Sequence, residues 1–214
     1  MTKGVYRIDL NDRWSLEEFY QLPHVFSQLY SFHYAFLGEG EVRDWERLEH
    51  AFSSYPWHGG YSAVNFYRVL HSQVPPRFRP DVMSVRFASP GWLDVRLLLE
   101  AARELGKVVA IVGGAAFAVA KAYNEIHKGL HDRRLLRIEI GRQEIRFAKD
   151  KLDFVKESSE ILDNLMGLNN LEQLNQLTNN PLASLKIQMS YYRRVKTLVT
   201  FVEKGKATFP EDGK

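Results

Sequence analysis

The sequence predicts an α+β fold, a small and mostly antiparallel sheet packed by helices with a helical C-terminal region, and three observations point to it. Short stretches alternate apolar with charged or polar residues, the period of a half-buried strand: Tyr6-Arg7-Ile8-Asp9-Leu10 is one, and Met83, Val85 and Phe87 against Ser84 and Arg86 form another. Longer stretches between them place apolar residues at helical spacing. A hydrophobic content of 45%, of which aromatic residues supply a large part, is enough to fill a core for these elements.

In chain order, residues 5–10 form the first strand and Asn11-Asp12 turns the chain. Ser15-Leu16-Glu17-Glu18 has the spacing of a capping box, so a helix rich in aromatics follows, with Pro23 expected to kink or split it and Gly38 and Gly40 to end it. Amphipathic helices are expected over 42–55 (Val42, Trp45, Leu48, Phe52) and 61–72 (Val64, Tyr67, Leu70), separated by the His58-Gly59-Gly60 break. Three prolines in Val74 to Pro80 rule out a regular helix or a central strand and make a connector. Residues 82–88 then read as a strand. Ser89-Pro90-Gly91 is expected to stop it and to start a helix, since serine suits the N-cap and proline the first helical position.

That helix is expected over about 92–128, with Gly106 and the Gly113-Gly114 pair as weak points. A strand over 135–140 completes the expected sheet, and a helix over about 143–165 follows it. Leucines at 162, 165, 168, 171, 174 and 177 recur every three residues, a period that drifts around an α-helix; a helix ending near Gly167 and a second short helix account for it. Asn179-Asn180-Pro181 breaks the chain before a last helix over about 182–203. The expected organisation is an α+β domain over 1–140, a helical region over 141–204 packed on it, and a frayed tail over 205–214.

Composition narrows the function classes. There is no cysteine, which excludes a disulfide framework, a thiolate metal site and a cysteine nucleophile. No apolar run at the N-terminus has the form of a secretory signal, so a cytoplasmic location is expected, with a peripheral place at the membrane as the alternative. Charge is uneven: residues 1–66 hold five Lys or Arg against nine Asp or Glu, a net of −4, and since the whole chain carries +3 the remainder carries +7.

The apolar run Val108 to Ala120 lies between Lys107 and Lys121 and is too short to cross a bilayer, which takes about 20 residues. Small residues in it permit close approach of a second helix, so Val109, Val112, Gly113, Ala116, Phe117 and Ala120 are the candidate interaction residues. A basic stretch offers Arg133, Arg134, Arg137, Arg142 and Arg146, and Arg193 and Arg194 follow beside Tyr191 and Tyr192; these are the candidate contacts for an anion or a nucleic acid. His127 and His131 share helical spacing, but the residue after the first is Lys128 where the zincin pattern needs glutamate, and no metal or cofactor is expected. His58-Gly59-Gly60 has no Gly-x-Ser-x-Gly elbow to serve, and no catalytic residues are expected.

The segment Val85-Arg86-Phe87-Ala88-Ser89-Pro90-Gly91-Trp92, with the apolar helix after it, resembles a pattern in uncharacterised bacterial proteins, some linked to phage-defence systems. The resemblance covers about residues 82–140, implies a defence setting and brings no catalytic residues. The expected function is a non-enzymatic, oligomerising interaction protein, a sensor or adaptor, whose partners are itself and another protein. The alternatives are an effector that associates with an anionic membrane surface through residues 108–120, and a nucleic-acid-binding protein using the basic C-terminal half.

Overall fold

A computed structural model describes residues 2–38, 42–53, 62–133, 135 and 149–210, leaving aside the side chains of 62–64. The architecture is α+β. A four-stranded antiparallel sheet, in the order β2-β3-β1-β4, carries helices on one face. Its strands are β1 (Lys3–Leu10), β2 (Asp81–Arg86), β3 (Gly91–Leu98) and β4 (Ala207–Thr208). The helices are α1 (Leu16–Tyr34), α2 (Val42–Ser53), α3 (Ser62–Gln73), α4 (Leu99–Gly114), α5 (Ala116–Asp132), α6 (Lys149–Met166), α7 (Leu171–Thr178) and α8 (Pro181–Glu203).

The capping box forms as the spacing requires. Glu18 N–H donates to Ser15 Oγ at 3.1 Å, and Ser15 N–H to the Glu18 carboxylate at 3.0 Å. The helix it starts runs through Pro23 as a single element, so the expected split does not occur. Tyr6, Ile8 and Leu10 of β1 and Leu93, Val95 and Leu97 of β3 turn to the helical side and are buried. There Tyr6 stacks on Phe26 of α1, and Tyr30 of the same helix accepts from Leu98 N–H and donates to the Phe78 carbonyl.

Three sequence expectations are corrected. First, Ser89-Pro90-Gly91 does not start a helix. It closes a hairpin between β2 and β3, with the Ser89–Pro90 peptide cis, and Gly91 lies against the Arg86 and Ala88 carbonyls, where a side chain has no room. Residues 92–98 are strand because Leu93, Val95 and Leu97 alternate with Trp92, Asp94 and Arg96, and the inner set pairs with Ile8, Tyr6 and Gly4 of the neighbouring strand.

Second, the expected helix 92–128 is two helices. It begins at Leu99 and breaks at Ala115 with an 88° bend, directly after the glycine pair.

Third, the tail is packed as far as residue 210. Gly205 takes the left-handed conformation (φ 67°), Ala207 and Thr208 pair with Leu10 and Asp9, Phe209 is buried against Phe26, and the Pro210 carbonyl accepts from Tyr6 Oη at 2.7 Å. Lys206 reaches back to the Glu18 carboxylate at 2.7 Å and to the Arg13 carbonyl at 2.8 Å, so the two ends of the fold are tied together.

Of the expected strand 135–140 only Leu135 is described, and it is buried outside the sheet; the rest, with His58 to Gly60, the expected helix start at 143–148 and the last four residues, lies outside the described residues. The leucine period resolves as α6 ending at Met166, a turn through Gly167 at φ 66°, and the short α7.

Phe209→Ala is expected to lower the unfolding free energy by about 3 kcal/mol in urea titrations, because it removes a buried ring. An unchanged midpoint would show that the tail is not part of the core.

Candidate interaction surface

The interior contains several titratable side chains, and their geometry decides whether chemistry is housed there. Ser31 and His71 come within 2.8 Å, a spacing a nucleophile and its base would have. Ser31 is fully buried, however, and its hydroxyl donates to the Ser27 carbonyl at 2.7 Å, so it accepts from His71 Nδ1. His33 Nε2 meets Tyr191 Oη at 2.7 Å between α1 and α8. Burial pushes the His33 pKa down to about 3 and raises the Tyr191 hydroxyl well above its usual range, so both are neutral. Asp163 is pushed up by burial while backbone amides of Asn170 and Asn169 and the Gln188 side chain hydrogen-bond it; it anchors the turn between α6 and α7. These groups bind one another within the core.

A cleft of about 530 Å³ opens beside the hairpin turn, lined by Leu10, Asp12, Arg13, Trp14, Arg86 and Phe87 among others. Its one carboxylate, Asp12, stands next to Ser89, whose hydroxyl accepts from the Asp12 backbone N–H at 3.4 Å, and no histidine is among its lining residues. His127 and His131 are both exposed, and among the described residues no group of three or more His, Asp or Glu could hold a metal ion.

The candidate interaction residues divide at the bend. Val109 and Val112 of α4 face the chain's own core. Gly113 lies on the same helix near Val199, while Ala116, Phe117 and Ala120 belong to α5, so the small residues do not line one helical face. Phe117 is 84% exposed, and Ile111, Gly114 and Ala118 are exposed with it at the outside of the elbow. No single helix among the described residues is long and apolar enough to cross a membrane; α4 and α5 pass that test only as a bent pair.

Among the basic residues, Arg133 is half-buried and stacks on Phe154 at 3.9 Å. Arg194 lies over the Tyr67 ring and donates to Gln28 Oε1 at 2.8 Å and to Ser190, an internal role. Arg193 is exposed and donates to Tyr123 Oη at 3.0 Å. Arg134, Arg137, Arg142 and Arg146 lie outside the described residues. Of the candidate arginines that are described, only Arg193 is exposed.

No protein-family model, curated protein or solved structure matches the chain.

The surface that sequence reasoning missed is the hairpin. β2 is an edge strand exposed along its whole length. Val82 and Val85 pair with Val95 and Leu93, so they point to the helical side of the sheet. Yet Val82 is 61% and Val85 37% exposed, while their neighbours one strand inward are buried. Among the described residues the helical cover ends between β3 and β2. Phe87, 61% exposed, continues this uncovered strip and meets Phe19 edge-on at 4.5 Å.

On the opposite face the hairpin is braced. Arg7 grips Asp94 through two hydrogen bonds of 2.7 and 2.9 Å, Ser84 Oγ donates to the same carboxylate, and Trp92 Nε1 donates to Ser84 Oγ. The Arg7 hydrogen bonds hold the Asp94 carboxyl below its ordinary range. Arg7 and Arg86 both lie over the Trp92 ring, at 4.8 and 4.9 Å. The exposed strip thus sits on a rigid support.

The buried histidine gives a pH test of the core. An unfolded His33 titrates near 6.5 and the folded one near 3, so in that window the unfolded chain binds more protons and stability falls as pH falls. The slope reaches about 1.4 kcal/mol per pH unit for one proton. His33→Gln is expected to flatten the stability profile between pH 6.5 and 4.5, read from urea midpoints; His71, also lowered by burial, leaves a residual slope of the same sign. An identical slope in the variant would contradict a neutral buried His33.

Proposed function

We propose that this chain is a non-enzymatic interaction protein that docks another protein along the open edge of its sheet. One observation carries the reading: large apolar side chains at Val82, Val85 and Phe87 stand exposed on a strand whose outer edge has no sheet partner among the described residues. Natural edge strands are usually short, charged or covered, because an open edge is a template for another chain. Strand addition supplies main-chain hydrogen bonds, and the exposed side chains supply apolar area and register. The braced outer face supports this by fixing the hairpin before a partner arrives, which lowers the ordering cost of binding. The buried His33, Tyr191 and Asp163 and the half-buried His71, each hydrogen-bonded within the protein, favour binding over catalysis. The setting we infer is a sensor or adaptor in bacterial phage defence; its support is the resemblance over about residues 82–140 alone.

A second reading has its own observation. Phe117 and Ile111 project from the 88° elbow between α4 and α5, with Lys107 and Lys121 flanking it, an arrangement suited to an anionic lipid surface. Flotation with vesicles of phosphatidylcholine and phosphatidylserine tests it. Co-flotation that Phe117→Glu abolishes would support this reading.

The first reading is tested by photo-crosslinking in the host cell, with a benzophenone amino acid at position 85 and a control at the exposed Lys156 of α6. Discrete protein adducts from position 85 and none from 156 are expected. No adduct from 85 in cells that accumulate the folded chain would contradict docking at this edge.

A further inference from the structure

The inference drawn here rests on the interaction reading and names the partner. We propose that β2 pairs with β2 of a second copy of this chain, antiparallel, about a two-fold axis perpendicular to the sheet and through the Met83-Ser84 position. Val82 then lies across from the partner's Val85, and Asp81 across from the partner's Arg86.

The strand's own register leads to this arrangement. Asp81 pairs with Arg96, Val82 with Val95, Ser84 with Asp94, Val85 with Leu93 and Arg86 with Trp92, with a shift between Val82 and Ser84. Val82 and Val85 are three apart, and in an unbroken strand they would face opposite sides. The irregularity at Met83 puts both on the helical side, beside Val95 and Leu93. It likewise puts Asp81 and Arg86, five apart, together on the outer side, beside Arg96 and Trp92. Reading outward from Met83-Ser84, either direction gives a valine on the inner face and then a charge on the outer face. One charge is acidic and the other basic.

A two-fold interface requires this kind of self-complementarity, since residue i must suit residue j and j must suit i. A two-fold axis perpendicular to the sheet also reverses the strand without exchanging its faces. Each copy's valines therefore stay on the helical side and each copy's charges on the outer side. Two Asp81–Arg86 ion pairs result, bracketing two valine pairs. Neither charge has another ionic partner among the described residues; Arg86 lies over the face of Trp92. A bulge ordinarily discourages pairing at an edge because it interrupts the ladder. Here the axis brings the second copy's bulge to the same place, and the ladder resumes in step on both sides of it.

The uncovered strip is explained by the same operation. Because the axis preserves faces, the helices of both copies lie on one side of a continuous sheet of twice four strands. Val82, Val85 and Phe87, which stand beyond the limit of one copy's helical cover, then lie between two helical layers. An unrelated peptide added to this edge would satisfy the backbone but would bring no such layer.

Sedimentation velocity of the wild type, Asp81→Arg, Arg86→Asp and the double variant tests the proposal. The wild type is expected to dimerise. Each single reversal sets two like-charge contacts across the axis and is expected to weaken the dimer roughly tenfold. The double reversal restores both pairs and is expected to return close to the wild type, although it still lacks Arg86 over Trp92. Both positions are exposed, so the substitutions do not touch the core. A wild type that stays monomeric, or a double variant no better than the singles, would overturn the proposal.

The lack of native cysteine permits a second readout. A mixture of Val82→Cys and Val85→Cys chains is expected to form a disulfide-linked dimer under mild oxidation, well above the yield of either variant alone, since like positions are offset along the strands beyond disulfide reach. Equal yields in all three samples would also overturn it. Adducts from position 85 to a different protein, with a monomeric wild type, would remove the second copy as occupant and leave docking at this edge standing.

Discussion

Residues 182–192 of α8 are buried without interruption, on every side of the helix, and the arrangement of the other elements follows from that placement. A helix enclosed all round must be surrounded by other elements. α1, α3, α4, α6 and α7 all pack on it, and β4 reaches back from its C-terminal end. Because this segment also carries polar side chains, its neighbours must supply partners. Thr178 meets Ser184, Asp163 accepts from Gln188, His33 meets Tyr191, and Arg194 folds back on Ser190. Lys186 is enclosed as well, and burial draws its pKa down to about 8. An enclosed polar group without a partner costs about 1–3 kcal/mol, so these contacts fix which residues of the surrounding helices must face inward.

A helical assembly centred on α8 covers only part of the sheet. Tyr6, Ile8, Leu10, Leu93, Val95 and Leu97 fall under it, and the tail after Gly205 closes the far side by adding β4 beside β1. Among the described residues the near side has no such closure. The strip on β2 is therefore a consequence of where the central helix lies, and the Arg7–Asp94–Ser84–Trp92 network keeps the exposed strand in position. The elbow at Ala115 has the same origin. The inward residues of α4 pack toward the centre, and after the bend the outer turn, with Phe117, points away from it.

Much of the fold was legible in the sequence, and the misreadings have specific causes. The capping box at Ser15, the proline-rich connector, the break at Gly167 and the start of α8 at Asn180-Pro181 are local signals, and the structure places an element boundary or break at each. The glycine pair 113–114 was legible as a weak point but not as a right-angle bend, because the direction of a break is set by packing. The segment 92–98 was misread because Ser89-Pro90 satisfies the rules for a helix start, while the alternation of Leu93, Val95 and Leu97 is blurred by the leucines that follow. Alternation in 82–88 placed Met83, Val85 and Phe87 on one face; the irregularity at Met83 moves Val82 to the side of Val85, and a period cannot show a bulge. Of the candidate site, the apolar run 108–120 was legible in the sequence, yet Val108, Val109, Val112 and Val119 of that run are buried in the chain's own core. The strip on β2 was hidden because an exposed and a covered strand carry the same valines, and only tertiary structure shows where cover stops.

Native-state hydrogen exchange of the dilute chain tests the central placement of α8 most directly. Amides of residues 183–192 are predicted to exchange only through global unfolding, and more slowly than those of any other helix, with the outward amides of 81–86 among the fastest in the sheet. Exchange of 183–192 through local opening, as fast as that of α2 or α5, would contradict a fold built around this helix.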